Sequence, residues 1–388
     1  IHNEKFMKKQ DLFNTLRLRL SLGESGSQQF APYQARSMYS FSTESRYLVW
    51  TSTELMGLGN EKLSWQTTIQ YNAGMDVELF NGRLLAGVDC FYKKTRDLLS
   101  TIDLKLVHGF NGYTENIGST ENVGYEAMFG GYILRNSGVG LTWNVTGKLA
   151  YTRNKILTLS DELKRETEKR RQTSEYGTLF YEGRSQNSIY AVRSLGINPA
   201  DGEELFLDAE GNVTKTWDPA YRVYCGVGEP TFRGSINSLL SYKDLSLNLS
   251  FGFHWGGKQY NSTLLDKVEV PVGLEGSGVE QSIINNVDNR VFTERWQKPG
   301  DYKFFKGYSD KATRSSSRFV MDDQAFQLQS LSLQYGWRTG FVQKVLHAET
   351  VNVSVNMSDL FYLSSIKRER GTDYPFANNI QFAFSVIF

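Results

Sequence analysis

Residues 64–82 read SWQTTIQYNAGMDVELFNG, and this stretch decides the fold. Trp65, Thr67, Ile69, Tyr71, Ala73, Met75, Val77 and Leu79 fall on one side of a period of two. Gln66, Gln70, Asn72, Asp76 and Glu78 fall on the other. That alternation predicts a strand with one apolar and one polar face. Asn81-Gly82 then supplies a hairpin turn, because both residue types accept φ > 0.

The same pattern recurs along the chain. GLTWNVTGKLAY (140–151) sets Leu141, Trp143, Val145, Leu149 and Tyr151 against Thr142, Asn144, Thr146 and Lys148. DLSLNLSFGFHW (244–255) and VNVSVNM (351–357) alternate as cleanly, and NNIQFAFSVIF (378–388) ends the chain on Phe388. Ten long strands are expected near 12–22, 65–80, 83–97, 122–134, 140–153, 232–242, 245–255, 325–337, 350–358 and 379–388. Several exceed the five or six residues usual in soluble sheets and match the roughly 9–11 that a tilted strand needs to cross a bilayer.

The links between these strands sort by parity. Long ones (23–64, 98–121, 154–231, 256–324, 359–378) alternate with short ones at Asn81-Gly82, around Gly138 and at Lys243-Asp244, and with an intermediate one at 338–349. Short turns at one rim and long loops at the other are the plan of an outer-membrane barrel. Within the long links, 38–50 reads as an added hairpin. SDELKRETEKRR (160–171) reads as a short solvated helix, not a nucleic-acid patch, since acids interleave its bases. GVEQSIINNVDNRVFTERW (278–296) has helical spacing at Ile283, Ile284, Val287, Val291 and Trp296.

Composition agrees. Lys+Arg number 43 against Asp+Glu 42, so no global field attracts nucleic acid. No run of about 18 apolar residues provides a transmembrane helix. The negative mean hydropathy decides nothing, because the two faces of a barrel strand average out. Chemistry is sparse. His2, His108, His254 and His347 never take metal-ligand spacing, and there is no nucleophile elbow or P-loop. Asp322-Asp323 and Glu203-Glu204 read as surface charge, and LDAEGN (207–212) as a turn. Cys90 and Cys225 read as isolated core or strand residues. Asn144, Asn248 and Asn352 open N-x-S/T triplets on polar strand faces, which are patterning coincidences. No enzyme, cofactor or metal site is expected.

Several segments together resemble the C-terminal barrel region of the SusC/RagA-like TonB-dependent transporters of Bacteroidetes outer membranes. They are LRLSLGESGSQQFAPYQA (17–35 region), MDVELFNGRLLAGVDCFYKKTRDLL, and ENIGSTENVGYE with Asn116, Gly118, Asn122, Gly124 and Glu126. GINPADGEELFLDAEGNVT, EPTFRGS, RWQKPGD, SSSRFVMDD and NMSDLF follow in order. Ser27 and Asp359 depart from the family's pattern. The resemblance implies an all-β fold, the C-terminal part of a large antiparallel transmembrane β-barrel of the roughly 22-stranded, plugged kind. The plug domain, a TonB-binding segment and the earlier strands would then lie outside residues 1–388. IHNEKFMKKQ shows no signal-peptide pattern, which fits a processed chain or a piece of a longer one.

The implied function is TonB-dependent import of an oligomeric nutrient, glycan or oligopeptide, across the bacterial outer membrane. Its partners would be a SusD-like surface lipoprotein, the TonB complex, the barrel-assembly machinery, the lipid bilayer and the N-terminal remainder of the barrel, with no nucleic acid. Phe388, Val386, Phe384 and Phe382 resemble the signal read by the barrel-assembly machinery. Trp217, Tyr221, Tyr260, Trp296 and Tyr302 are the candidate substrate or lid contacts in the loops, with packing against apolar side chains or a place in an interfacial girdle as the plainer role for such aromatics. The rival readings are a passive porin or adhesive barrel, and a soluble carbohydrate-binding β protein or glycosidase.

Overall fold

A computed structural model describes residues 4, 12–28, 35–47, 50–103, 112–135, 138–173, 178–269, 290–307, 313–338, 340–345, 347–367 and 379–388. In chain order its strands begin with β1 (Phe13–Ser27), β2 (Met38–Tyr47), β3 (Trp50–Gly57), β4 (Gln66–Leu79) and β5 (Leu84–Arg96). Next come β6 (Leu99–Asp103), β7 (Gly112–Asn116), β8 (Gly118–Leu134), β9 (Leu141–Leu159), β10 (Ser188–Val192) and β11 (Ser194–Ile197). The last are β12 (Glu204–Leu207), β13 (Val213–Thr214), β14 (Arg222–Val227), β15 (Phe232–Tyr242), β16 (Leu245–Tyr260), β17 (Val320–Trp337), β18 (Thr350–Ser364) and β19 (Asn379–Ile387).

Ten of them form one antiparallel sheet in the order β1-β4-β5-β8-β9-β15-β16-β17-β18-β19. These are the ten strands expected from the alternation, most of them longer at the loop end. At the turn end the expected chemistry is present. Asn81 and Gly82 adopt the expected positive φ (56° and 74°), but the turn takes four residues, 80–83, between the paired Leu79 and Leu84, and Phe80 is left-handed as well (φ 54°). Lys243 (φ 52°) closes a two-residue turn between Tyr242 and Leu245. The link 338–349 holds helix Gly340–Val345, whose Val342 packs with Ala348, Val351 and Val386 at the rim. Among the described residues β1 and β19 are the sheet's edges and do not pair with each other.

Register carries one set of side chains across the whole sheet. Leu22, Tyr71, Tyr92 and Val123 share a row, as do Leu18, Met75, Val88 and Ala127. Leu247, Leu333, Val355 and Phe382 share another. The opposite face carries Ser246, Gln334, Ser354 and Ala383, then Asn248, Ser332, Asn356 and Gln381. One irregularity shows how strictly this sidedness is kept. In β17 the apolar parity changes from Phe326 and Leu328 to Leu331, Leu333 and Tyr335, and Gln329 is bulged out between Leu328 and Ser330. β18 answers with Asp359, which adopts φ 54°. A slip of one residue would otherwise turn every later side chain to the wrong face.

The long links are folded. β2 and β3 form the expected hairpin, extended to Gly57. Helix α1 (Asp161–Thr173) is the expected solvated helix. The Ser160 hydroxyl accepts from Leu163 N at 3.2 Å, Asp161 and Glu162 begin the helix, and Arg170 and Arg171 end it, in keeping with the helix dipole. Only Leu163 and Thr167 are buried. Of the second expected helix, residues 278–289 lie outside the described residues, and a single helical turn is present at Arg290–Thr293. LDAEGN is a turn joining β12 to β13, where Asp208 accepts from Asn212 N at 2.7 Å. Cys90 and Cys225 are unbridged strand residues.

Candidate functional site

Two surfaces can do work: the wall and the loop cap above it. On the wall, large apolar side chains are exposed on one face, including Leu20 (85%), Phe382 (75%) and Phe129 (60%). Toward the loop end this face carries an aromatic row. Tyr71 lies 6.1 Å from Tyr92, and Tyr125 lies 5.9 Å from Tyr151. Tyr151 then meets Phe232, and Phe232 meets Trp255, each at 5.1 Å. Toward the turn end the same face carries Trp143, Tyr242, Tyr335 and Trp337. Leu245 to Trp255 spans about 33 Å along β16, or about 25 Å at the usual barrel tilt, the height of a lipid-facing apolar band.

The polar face is tied by its own contacts. Arg19 reaches Asp76 and Asp89, each at 3.0 Å. Asn72 donates to Ser21 Oγ at 3.0 Å, Asn154 donates to Asn122 Oδ1 at 2.9 Å, and His254 pairs with Asp323 at 3.0 Å. The N-x-G residues find their reasons here. Asn116 accepts from Ser64 N (2.8 Å) and donates to Ser64 O (2.9 Å) and Asp97 O (2.8 Å), joining three segments. Gly124 lies under the Phe91 ring, where any Cβ would collide with it.

The cap is organised by one guanidinium. Arg318 grips Glu204 through Nε (3.1 Å) and Nη2 (2.8 Å), and Glu269 through Nη1 (2.6 Å) and Nη2 (2.7 Å). The three side chains are 4%, 5% and 0% exposed. Ser316 Oγ donates to Glu204 at 2.6 Å, and Arg318 lies 4.5 Å from the centre of the Phe319 ring. Burial alone would lower the Arg318 pKa, but hydrogen bonds to Glu269 and Glu204 outweigh it and raise the value. Below lies a core of Leu264, Leu265, Val268, Phe305 and Phe319. Arg295, fully buried, donates to the carbonyls of Lys306, Val268 and Glu269. Burial pushes the Lys306 ammonium down. Glu204 therefore corrects the surface-charge expectation. Glu203 and Asp322 do lie at the surface, with Lys215 (3.2 Å) and Lys258 (2.6 Å).

Beside this network opens a cleft of about 720 Å³, lined by Asp201, Glu203, Lys215, Trp217, Trp296 and Arg314 among others. Two of the five expected aromatic contacts meet there. Trp217 Nε1 donates to Ser315 O at 2.8 Å, and Trp296 Nε1 donates to Pro199 O at 3.0 Å while its ring lies against Gly202. Tyr260 packs on the cap core, 6.1 Å from Phe319. Tyr221 ends a 3-10 turn, half-buried, and Tyr302 is 86% exposed. Phe382, Phe384 and Phe388 are exposed on or beside the edge strand β19, and Val386 is half-buried against the rim. The Arg318 network had no legible signal beyond its motifs: Glu204 and Arg318 are 114 residues apart.

Comparison with known proteins places this geometry. The profile of the family described as "TonB dependent receptor-like, beta-barrel" matches residues 10–271. TonB-dependent receptor P3 of Formosa agariphila is 28% identical over 97% of this chain and 37% of its own length. TonB-dependent receptor SusC of Bacteroides thetaiotaomicron is 26% identical over 74% of this chain and 32% of its own. The RagAB peptide importer in its closed-closed state shares the fold with a TM-score of 0.81, at 21% identity, over 99% of this chain and 42% of that one. The chain thus spans about a third of the curated relatives it matches. At family level these are receptors, and the barrels are outer-membrane proteins. The match, the ten-stranded sheet and its two sorted faces agree: this chain belongs to the TonB-dependent receptor-like β-barrel family.

Proposed function

We propose that this chain is part of the wall and the extracellular cap of a transporter that imports an oligomeric nutrient, glycan or oligopeptide, driven by TonB. One observation carries the reading: a ten-stranded sheet with an exposed apolar face, ringed by aromatics, whose folded long links gather at one rim. A soluble β protein would bury such a face. In this reading the apolar face meets lipid and the polar face lines the lumen. The cap and its cleft stand toward the cell exterior, where a SusD-like surface lipoprotein would cover them. The plug, the TonB contact and the remaining strands belong to the rest of the polypeptide, and the barrel-assembly machinery inserts the whole. The wall makes and breaks no bonds; it supplies shape, a polar path and loop contacts. Similarity to TonB-dependent receptors supports energy coupling over a passive porin or an adhesive barrel.

The test uses the complete protein in cells with and without TonB, supplied with labelled oligopeptide and glycan pools. Periplasmic uptake should fall to background without TonB. Uptake that persists at the same rate would favour the passive pore.

A further inference from the structure

The apolar face changes character just beyond its aromatic row, on the long-loop side. In register, Lys94 of β5 faces Glu121 of β8, and Glu121 faces Lys155 of β9. Arg153 continues the row of Tyr71, Tyr92 and Val123, and Arg96 pairs with Thr67 one row nearer the loops. Glu24 shares the Lys94 row through Ile69. Four cations thus share this face with two carboxylates, and Glu121 already accepts from the Tyr92 hydroxyl at 3.3 Å. Among the described residues no ion pair engages Lys94, Arg96, Arg153 or Lys155. With strands about 4.8 Å apart, Lys94 and Lys155 stand about 10 Å from one another.

These cations point away from the lumen, so a ligand in transit does not meet them. Aromatic rows sit at headgroup depth, and long cationic side chains extend from there toward lipid phosphates. We propose that Lys94, Arg96, Arg153 and Lys155 form a docking site for a phosphate-bearing lipid headgroup in the leaflet on the long-loop side. The proposal rests on the membrane reading of the apolar face. Its occupant is fixed by charge complementarity and by continuity with the aromatic row. The site would anchor the barrel's loop end at a set depth.

The complete protein is reconstituted in phosphatidylcholine nanodiscs doped with lipid A, or with lipid A stripped of its phosphates, and retained lipid is counted by native mass spectrometry. The wild type should retain the phosphorylated form only. The triple variant Lys94→Ala, Arg153→Ala, Lys155→Ala should retain about tenfold less or lower still, since each surface cation contributes comparably to anionic-lipid binding. A triple variant of polar-face cations, Lys93→Ala, Lys148→Ala, Arg233→Ala, should behave as wild type. Equal retention by the two triple variants, equal retention of the two lipids, or displacement by inorganic phosphate at matched concentration overturns the proposal. Flotation with vesicles separates it from the membrane reading. A complete protein that fails to float overturns both, whereas a variant that floats and keeps its lipid A overturns the docking site alone.

Discussion

Arg318 concentrates the cap's energetics in one side chain. It satisfies two buried carboxylates from different long links, so its loss strands both of them. Breaking a buried pair by removing one partner costs roughly 3–5 kcal/mol. Arg318→Ala should therefore loosen the cap, read as faster proteolysis within 178–227 with the barrel still assembled. Combining Arg318→Met with Glu204→Gln and Glu269→Gln removes all three charges and should recover most of the protection. A triple variant as labile as the single one would show that packing, not charge, holds the cap. Asp359 is the second residue of this kind, at φ 54° in the β18 irregularity. Asp359→Gly should be neutral or better, while Asp359→Val should cost about 1–3 kcal/mol and lower the assembled fraction.

At the scale of elements, sidedness is the testable property. Leu249 pairs with Leu331 on the apolar face, and Ser250 pairs with Ser330 on the polar one. Leu249→Arg should cost roughly 2–4 kcal/mol if it lies near mid-bilayer, and Ser250→Arg far less. Equal yields of heat-stable barrel from the two variants would contradict the assignment of faces. Helix α1 offers a pH test. Lys164 lies 2.8 Å from Glu182 and, with the Leu159 N–H, holds that carboxyl below its ordinary 4.5; Glu182 in turn raises Lys164. A depressed carboxyl stabilises above its unfolded value and loses that contribution as the pH falls through its folded one. Protection of the α1 amides, taken relative to the intrinsic exchange rate at each pH, should fall as the pH drops below the ordinary carboxyl value of 4.5. Glu182→Gln should lose most of this dependence.

For the whole molecule the two sheet edges matter most. Among the described residues β1 and β19 are unpaired on their outer sides. An open edge is not tolerated in lipid, so in the proposed membrane barrel both would pair with strands of the rest of the polypeptide. Phe388 stands at the end of β19, 82% exposed. Deleting it should slow assembly, and Phe388→Leu separates the causes. Full recovery with Leu would mean that apolar area suffices and no aromatic signal is read. The orientation of the rims is checked by cysteine labelling on intact cells, where a probe at Lys243 should stay unlabelled and one at Tyr302 should react.

The strands, their faces and their sorted links were legible because alternation is local: a period of two is written in consecutive residues. Turn residues were legible for the same reason, as Asn81-Gly82 shows through its positive φ values. Family membership followed from short ordered motifs. The cap was not legible. Glu203-Glu204 looks like surface charge in sequence, yet Glu204 lies buried against Arg318 because two long links fold onto each other. Tyr260 and Trp296 look alike as loop aromatics, and only packing sends one to a core and the other to a cleft. Alternation determined the wall, because each strand's facing is set by its own residues; tertiary structure alone decided the cap, because buried charge and cleft shape depend on contacts between residues far apart in the chain.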